Sequence, residues 1–211
     1  MNNRRAALRD QLRIEFSSKR EAIRTRLHEF ARVPPEEYFY ELVYCLLTPQ
    51  SSAVHAATVV ALLRNADLEE HELDLAELLR RDSHYIRFHN TKARRILAAR
   101  KQVRAIIEKI QQTPDAPELR SWLVSTVDGF GLKEASHFLR NIGRLNLAIL
   151  DRHILRNLRR YGVIRAIPKT LTPKRYFSIE RSFLRFAETT GISLDELDLL
   201  FWSRETGQIL K

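Results

Sequence analysis

An all-α fold is predicted for this chain by three observations. Six glycines and seven prolines in 211 residues are too few turn-formers for a many-stranded sandwich or barrel. Apolar residues recur three and four apart along most of the chain, the spacing of one helix face. No segment shows the strict alternation of a half-buried strand, and there is no internal repeat. At 44% hydrophobic and 29% charged, the chain has the composition of a globular protein rather than a disordered one.

The elements follow in order. Leu8, Leu12, Phe16, then Ile23, Leu27 and Phe30 recur at helical spacing among arginines and glutamates, which predicts one or two basic helices. Pro34-Pro35-Glu36-Glu37 ends that segment and opens another, since proline is tolerated in a first turn and acids suit it. Tyr38 to Leu47 reads as a buried helix, Thr48 to Ser52 as a polar break, and Ala53 to Leu63 as a further helix. Leu73 to Leu79 and Lys92 to Ile110 are each expected to be one helix, separated by Tyr85-Ile86-Arg87-Phe88-His89-Asn90. Gln111 to Pro117 reads as a linker. Glu118 to Thr126 and Leu132 to Asn141 are short helices around a turn at Val127 to Gly131, the second one closed by Gly143. Asp151 is placed as the N-cap of a helix reaching Tyr161. Thr172-Pro173 opens the next helix, and Ser193-Leu194-Asp195-Glu196 forms a capping box for the last.

Basic residues outnumber acidic ones 36 to 26, a formal net charge of +10, which points to a polyanionic partner. Nucleic acid comes first and an anionic membrane surface second. Cys45 is the single cysteine, so an intramolecular disulfide and a four-cysteine zinc or iron–sulfur site are excluded. Within Leu42-Val43-Tyr44-Cys45-Leu46-Leu47 it reads as a small core residue. The first residues lead into a charged amphipathic segment rather than an apolar signal core, and no run reaches the length of a membrane span. A soluble intracellular protein without a membrane partner is expected.

The turn Val127-Asp128-Gly129-Phe130-Gly131 carries the first chemistry. Glycines two apart let backbone amides approach a ligand, and they open a helix whose first N–H groups attract an anion. In a basic chain this is the composition of a phosphate-clamping hairpin that holds nucleic-acid backbone, although an ordinary αα-turn has the same form. Lys133 lies in the first turn of that helix, where the dipole disfavours the ammonium and favours a nucleophilic amine. Asp151 follows 18 residues on, between Leu147-Ala148-Ile149-Leu150 and Arg152-His153. It reads either as a cap, worth about 1 kcal/mol, or as a functional carboxylate.

Gly129-Phe130-Gly131-Leu132-Lys133 followed by Asp151 resembles the helix-hairpin-helix DNA glycosylase superfamily. Three stretches, Lys133 to Asn141, Ala148 to Arg156, and Glu196 to Trp202 with the chain ending at Lys211, are similar to the compact archaeal-type 8-oxoguanine DNA glycosylases. The resemblance covers most of the chain and is strongest from Asp128 onward. Asp128 departs from it, standing where the superfamily often has proline, an acid close to the phosphate site. The four-cysteine loop of the endonuclease III branch is absent.

The resemblance implies a bifunctional DNA glycosylase and abasic-site lyase acting on duplex DNA with oxidised guanine, without cofactor or metal. Lys133 would attack the sugar at C1′ and form a Schiff base, and Asp151 would support the developing charge and the deprotonation of lysine. Gly129, Gly131 and His153 would hold DNA backbone. His137, Trp202 and the terminal carboxylate of Lys211 would form the base pocket, the carboxylate accepting from the base's adjacent donors. Gln50 would fill the space left by the flipped base, with Phe88 as the wedge and Arg87 or His89 at the edge of the estranged cytosine. Each aromatic and histidine also has a purely structural reading: Phe88 and Trp202 as core, the histidines as satisfied packing groups. The implied architecture is two helical lobes with a DNA-binding cleft between them: residues 35–140 with the hairpin, and 1–34 plus 141–211 with Asp151. A monomer in a prokaryotic cytoplasm, associated with the nucleoid, is expected. A glycosylase for another lesion and a non-catalytic hairpin module that only holds DNA are the alternatives.

Overall fold

Local capping chemistry delimits most of the helices. The structure, a computed structural model, describes residues 2–69, 71 and 73–209. Among the described residues there are eleven α-helices: α1 (Asn2–Ala31), α2 (Tyr38–Leu47), α3 (Ala53–Asn65), α4 (Leu75–Arg80), α5 (His89–Arg100), α6 (Val103–Gln112), α7 (Ala116–Thr126), α8 (Leu132–Asn141), α9 (Arg152–Arg160), α10 (Pro173–Thr190) and α11 (Leu194–Thr206). No strand occurs among the described residues, so the all-α expectation holds. Ser52, Asp74, Asp115, Asp151, Thr172 and Ser193 each accept a backbone N–H at a helix start, and Ser193 with Glu196 completes the capping box. No helix among these residues is long and apolar enough to cross a membrane.

The amino-terminal segment, expected as one or two helices, is one continuous helix. Two other boundaries differ from the sequence reading. The segment expected as a single helix from Lys92 to Ile110 is two, with a break at Lys101-Gln102, where Gln102 leaves helical geometry at φ −114° and ψ 5°. The expected linker shrinks to residues 113–115, because α6 runs through Gln112 and Pro117 sits inside the first turn of α7.

The chain forms two compact units, with the division falling within α8 after Phe138. In the unit Val33–Phe138, α2 packs on α3 and α5, and α4 packs on α5. Every residue of α2 from Phe39 to Leu47 is buried, Cys45 among them. In the other unit, α1, α9 and α10 all pack on α11 around Leu12, Ile23, Phe183, Leu197 and Phe201. Arg204 of α11 ties this unit together. Its guanidinium donates to Glu15 of α1, to Asn157 Oδ1 at 2.6 Å and to Tyr161 Oη at 2.6 Å.

A buried ion pair joins the end of α8 to α11. Arg140 Nη1 donates to Asp198 Oδ2 at 2.6 Å, with both side chains almost fully out of solvent. Burial lifts the Asp198 carboxyl from its ordinary 3.8 to about 7; Arg140 opposes the rise, and Asp151 and Asp195 add to it. A carboxyl whose folded value is raised stabilises the fold below its unfolded value, and that contribution is lost as pH rises through about 7. Arg140→Met leaves a buried carboxylate without its cation, a loss of about 3–5 kcal/mol. The loss is expected to be larger at about pH 8 than at about pH 5, where the carboxyl is protonated already. Urea denaturation of both proteins at the two pH values checks this.

Candidate active site

The hairpin between α7 and α8 is built on one glycine that cannot be replaced without strain. Gly129 has φ +95°, and a Cβ added there would stand 2.6 Å from Arg95 Cδ. Arg95 Nε in turn lies 3.4 Å from Asp128 Oδ1, so the acid beside the expected phosphate site has a cation of its own. The turn's amides are partly committed. Phe130 N–H donates to Val127 O at 3.0 Å, and Gly131 N–H donates to Glu134 Oε2 at 3.2 Å. The anion held at the start of α8 is therefore the chain's own Glu134, an acid three residues in that suits the helix dipole.

Lys133, the second residue of α8, is half-buried, and its Nζ lies 3.0 Å from Glu134 Oε1. Glu134 thus bridges the hairpin amide and the lysine, and an attacking amine has to leave this pair. His137, one turn further along α8, meets the Tyr44 ring edge-on at 5.9 Å.

Asp151 is held by its own helix and by the buried apolar run before it. Its Oδ1 accepts from His153 N and Ile154 N, both at 2.8 Å, and its N–H donates to Ile149 O at 2.8 Å. Leu147 to Leu150 are all buried, and α10 pins their backbone. Ala148 N donates to Glu180 Oε2 at 2.8 Å, the Tyr176 hydroxyl donates to Ala148 O, and Leu150 N donates back to Tyr176 Oη at 3.4 Å. The carboxylate is half-buried at the end of a rigid segment, and its charge contributes to the raised value at Asp198.

His153 and Trp202 lie together in the same unit as Asp151, their ring centroids 5.1 Å apart, with His153 Nδ1 3.0 Å from Glu205 Oε2. Trp202 is half-buried. Lys211 lies outside the described residues.

Gln50, Arg87 and Phe88 occupy two loops of the unit Val33–Phe138, after α2 and before α5, and His89 follows as the first residue of α5. Gln50 and Phe88 are both exposed, Phe88 at 49%, and the core reading of Phe88 does not hold. Both are in the left-handed region, at φ 57° and 61°. For residues with side chains that conformation costs about 1–2 kcal/mol each, the kind of strain that functional loops retain. The Arg87 guanidinium lies 4.8 Å over the Phe88 ring. His89 begins α5, with its ring 6.0 Å from Tyr85.

Three residues here were not singled out from the sequence. Glu134 and Glu205 are local partners of Lys133 and His153, and nothing in the spacing distinguishes them from solvated acids. Lys92 could have been found. It stands four residues before Ile96 and seven before Ala99, on the apolar stripe of α5, and it is 3% exposed.

Comparison with known proteins bears on what this arrangement does. The family model described as 8-oxoguanine DNA glycosylase matches residues 23–192. The chain is 42% identical over 203 residues to the 8-oxoguanine DNA glycosylase/AP lyase of Korarchaeum cryptofilum, covering 96% of each chain. It is 40% identical over 198 residues to that of Fusobacterium nucleatum, covering 88% of this chain and 89% of the relative. Among solved structures, the 8-oxoguanine DNA glycosylase of Methanocaldococcus jannaschii superposes with a TM-score of 0.87 at 33% identity, covering 98% of this chain and 97% of that one. A complex of the Methanocaldococcus jannaschii enzyme with a 15mer DNA containing 8-oxoguanine superposes with a TM-score of 0.85 at 32% identity, covering 95% of this chain and all of that one.

Proposed function

We propose, from the premise that this chain belongs to the 8-oxoguanine DNA glycosylase family, that it excises 8-oxoguanine from duplex DNA and nicks the resulting abasic site through Lys133. The observation that carries the assignment of the nucleophile is a half-buried lysine in the first turn of α8, directly after the Gly129–Gly131 hairpin. Once deprotonated and released from Glu134, its amine attacks C1′ as the bond from C1′ to the base breaks, and the base leaves with a proton from the site or solvent. The sugar ring then opens to a Schiff base, loss of a C2′ proton expels the 3′ phosphate, and hydrolysis frees the lysine.

Asp151 supports this chemistry electrostatically. A carboxylate fixed by two backbone N–H groups and a pinned backbone offers negative charge without reorganising as the sugar becomes cationic. The amides of the Gly129–Gly131 hairpin hold the DNA backbone once Glu134 gives up the Gly131 N–H, and His153 does the same in the other unit. His137, Trp202 and Lys211 receive the flipped base. Gln50 and Phe88, with Arg87 and His89 beside them, take the space it leaves and contact the estranged cytosine. No metal or organic cofactor takes part, and the working unit is a monomer.

The test is strand cleavage of two duplexes that differ only in 8-oxoguanine or guanine at one position opposite cytosine. Cleavage confined to the lesion strand is expected, leaving the β-elimination ends, an unsaturated aldehyde on one side and a 5′ phosphate on the other, rather than hydrolytic ones. Binding of both duplexes without cleavage of either would reduce the protein to a DNA-holding module. Cleavage of a duplex with a different damaged base in preference would reassign the substrate.

A further inference from the structure

Lys92 has no part in the chemistry above, yet it is 3% exposed and its ammonium has three hydrogen-bond acceptors. From the first turn of α5 its ammonium reaches across to the chain that leaves α2. It donates to Leu47 O at 2.6 Å, to Pro49 O at 2.7 Å and to Ser51 Oγ at 3.0 Å. Three donors meet three acceptors, and all three acceptors are neutral. The Ser51 hydroxyl oxygen also accepts from the backbone N–H of Arg87 at 3.0 Å. Lys92 N–H itself donates to Phe88 O at 3.0 Å, closing the first turn after the left-handed residue. His55 of α3 adds a third tie, its Nδ1 3.1 Å from Tyr85 O.

These contacts fall on the flanks of the two strained positions. Gln50 lies between Pro49 and Ser51, both held by the ammonium, and Phe88 lies between Arg87, held by Ser51, and the α5 turn that carries Lys92. Two loops 38 residues apart in sequence are thereby fastened to one buried amine. A buried cation facing carbonyls is an expensive way to fill a core. Burial pushes the Lys92 ammonium down to about 8, with Lys133 and Arg95 adding to the fall. A leucine or methionine would fill the same space without that penalty, but it would leave Leu47 O and Pro49 O without their donor and release both loops.

We propose that Lys92 is a positioning residue that clasps the 48–51 and 85–88 loops together, so that Gln50 and Phe88 enter the duplex as one preorganised unit. The inference rests on the reading of those two residues as gap filler and wedge. Inserting both costs less when neither loop has to be ordered at the moment of binding.

Lys92→Met, which keeps the stem and removes the donors, tests this on two substrates. One is a duplex with 8-oxoguanine, where a gap must be filled; the other is a single-stranded oligonucleotide with an abasic site, where none exists. Single-turnover cleavage of the duplex is expected to fall about tenfold or more, and cleavage of the single strand to stay within about twofold. In a background carrying both Gln50→Ala and Phe88→Ala, Lys92→Met should cost little more, because a residue that acts through those two has nothing left to position. Equal losses on the two substrates, a full additional loss in that background, or no loss on either overturns the clasp. Ser51→Ala removes the shared hydroxyl on a partly exposed loop and serves if the methionine variant does not fold. It should show a smaller loss of about threefold on the duplex alone, and an equal loss on both substrates again overturns the proposal. Gln50→Ala and Phe88→Ala separate the two levels. If neither impairs the duplex selectively, the gap-filling reading fails and the clasp with it. If both do and Lys92→Met does not, the clasp alone fails.

Discussion

Lys133→Gln is expected to lower both base excision and strand nicking by at least about a thousandfold, while duplex affinity stays within about twofold. One amine serves both steps in the proposed chemistry, so the two activities must fall together. Affinity is carried mainly by phosphate contacts spread over a chain with a net charge of +10, and losing one half-buried lysine changes little of that. The substitution is small in structural terms. Glutamine keeps helix propensity in the first turn of α8, and Glu134 retains the Gly131 N–H as a partner. Excision followed separately from nicking, on the same duplex, checks the coupling. A variant that still releases the base at the wild-type rate would place the nucleophile elsewhere.

Asp151→Asn is expected to keep the fold and lose about a hundredfold or more of the excision rate. Asparagine caps a helix as well as aspartate does, and its carbonyl oxygen can accept the His153 and Ile154 N–H groups. The backbone of 148–150 remains pinned by Glu180 and Tyr176. What disappears is the negative charge. An unchanged melting temperature with a large rate loss would separate the carboxylate's charge from its role as a cap, and wild-type turnover would leave Asp151 as a cap only.

The parts of the molecule that are local in sequence were the parts that could be read from it. The caps at Asp151, Thr172 and Ser193 are each decided within four residues, and the glycine turn at 129–131 needs only its own backbone freedom. The break between α5 and α6 was not legible, because Lys101 and Gln102 are good helix formers and the apolar spacing runs through them. Tertiary packing decides such a break. The same holds for the site. Lys133 and Asp151 announce themselves by their surroundings in the chain, an exposed Phe88 does not differ in pattern from a core one, and the ties of Lys92 reach back 41 to 45 residues. Glu134 is adjacent in sequence to Lys133, yet its double role depends on a side-chain rotamer that no pattern encodes.

In the proposed chemistry Lys133 becomes covalently bound to the sugar. Borohydride reduction during turnover on a duplex with 8-oxoguanine, followed by proteolysis and mass mapping of the crosslinked peptide, reads that bond directly. One adduct is expected, on Lys133, and none in the Lys133→Gln protein. An adduct of equal yield in that variant, or one mapped to Lys92 or another amine in the wild-type protein, would contradict it.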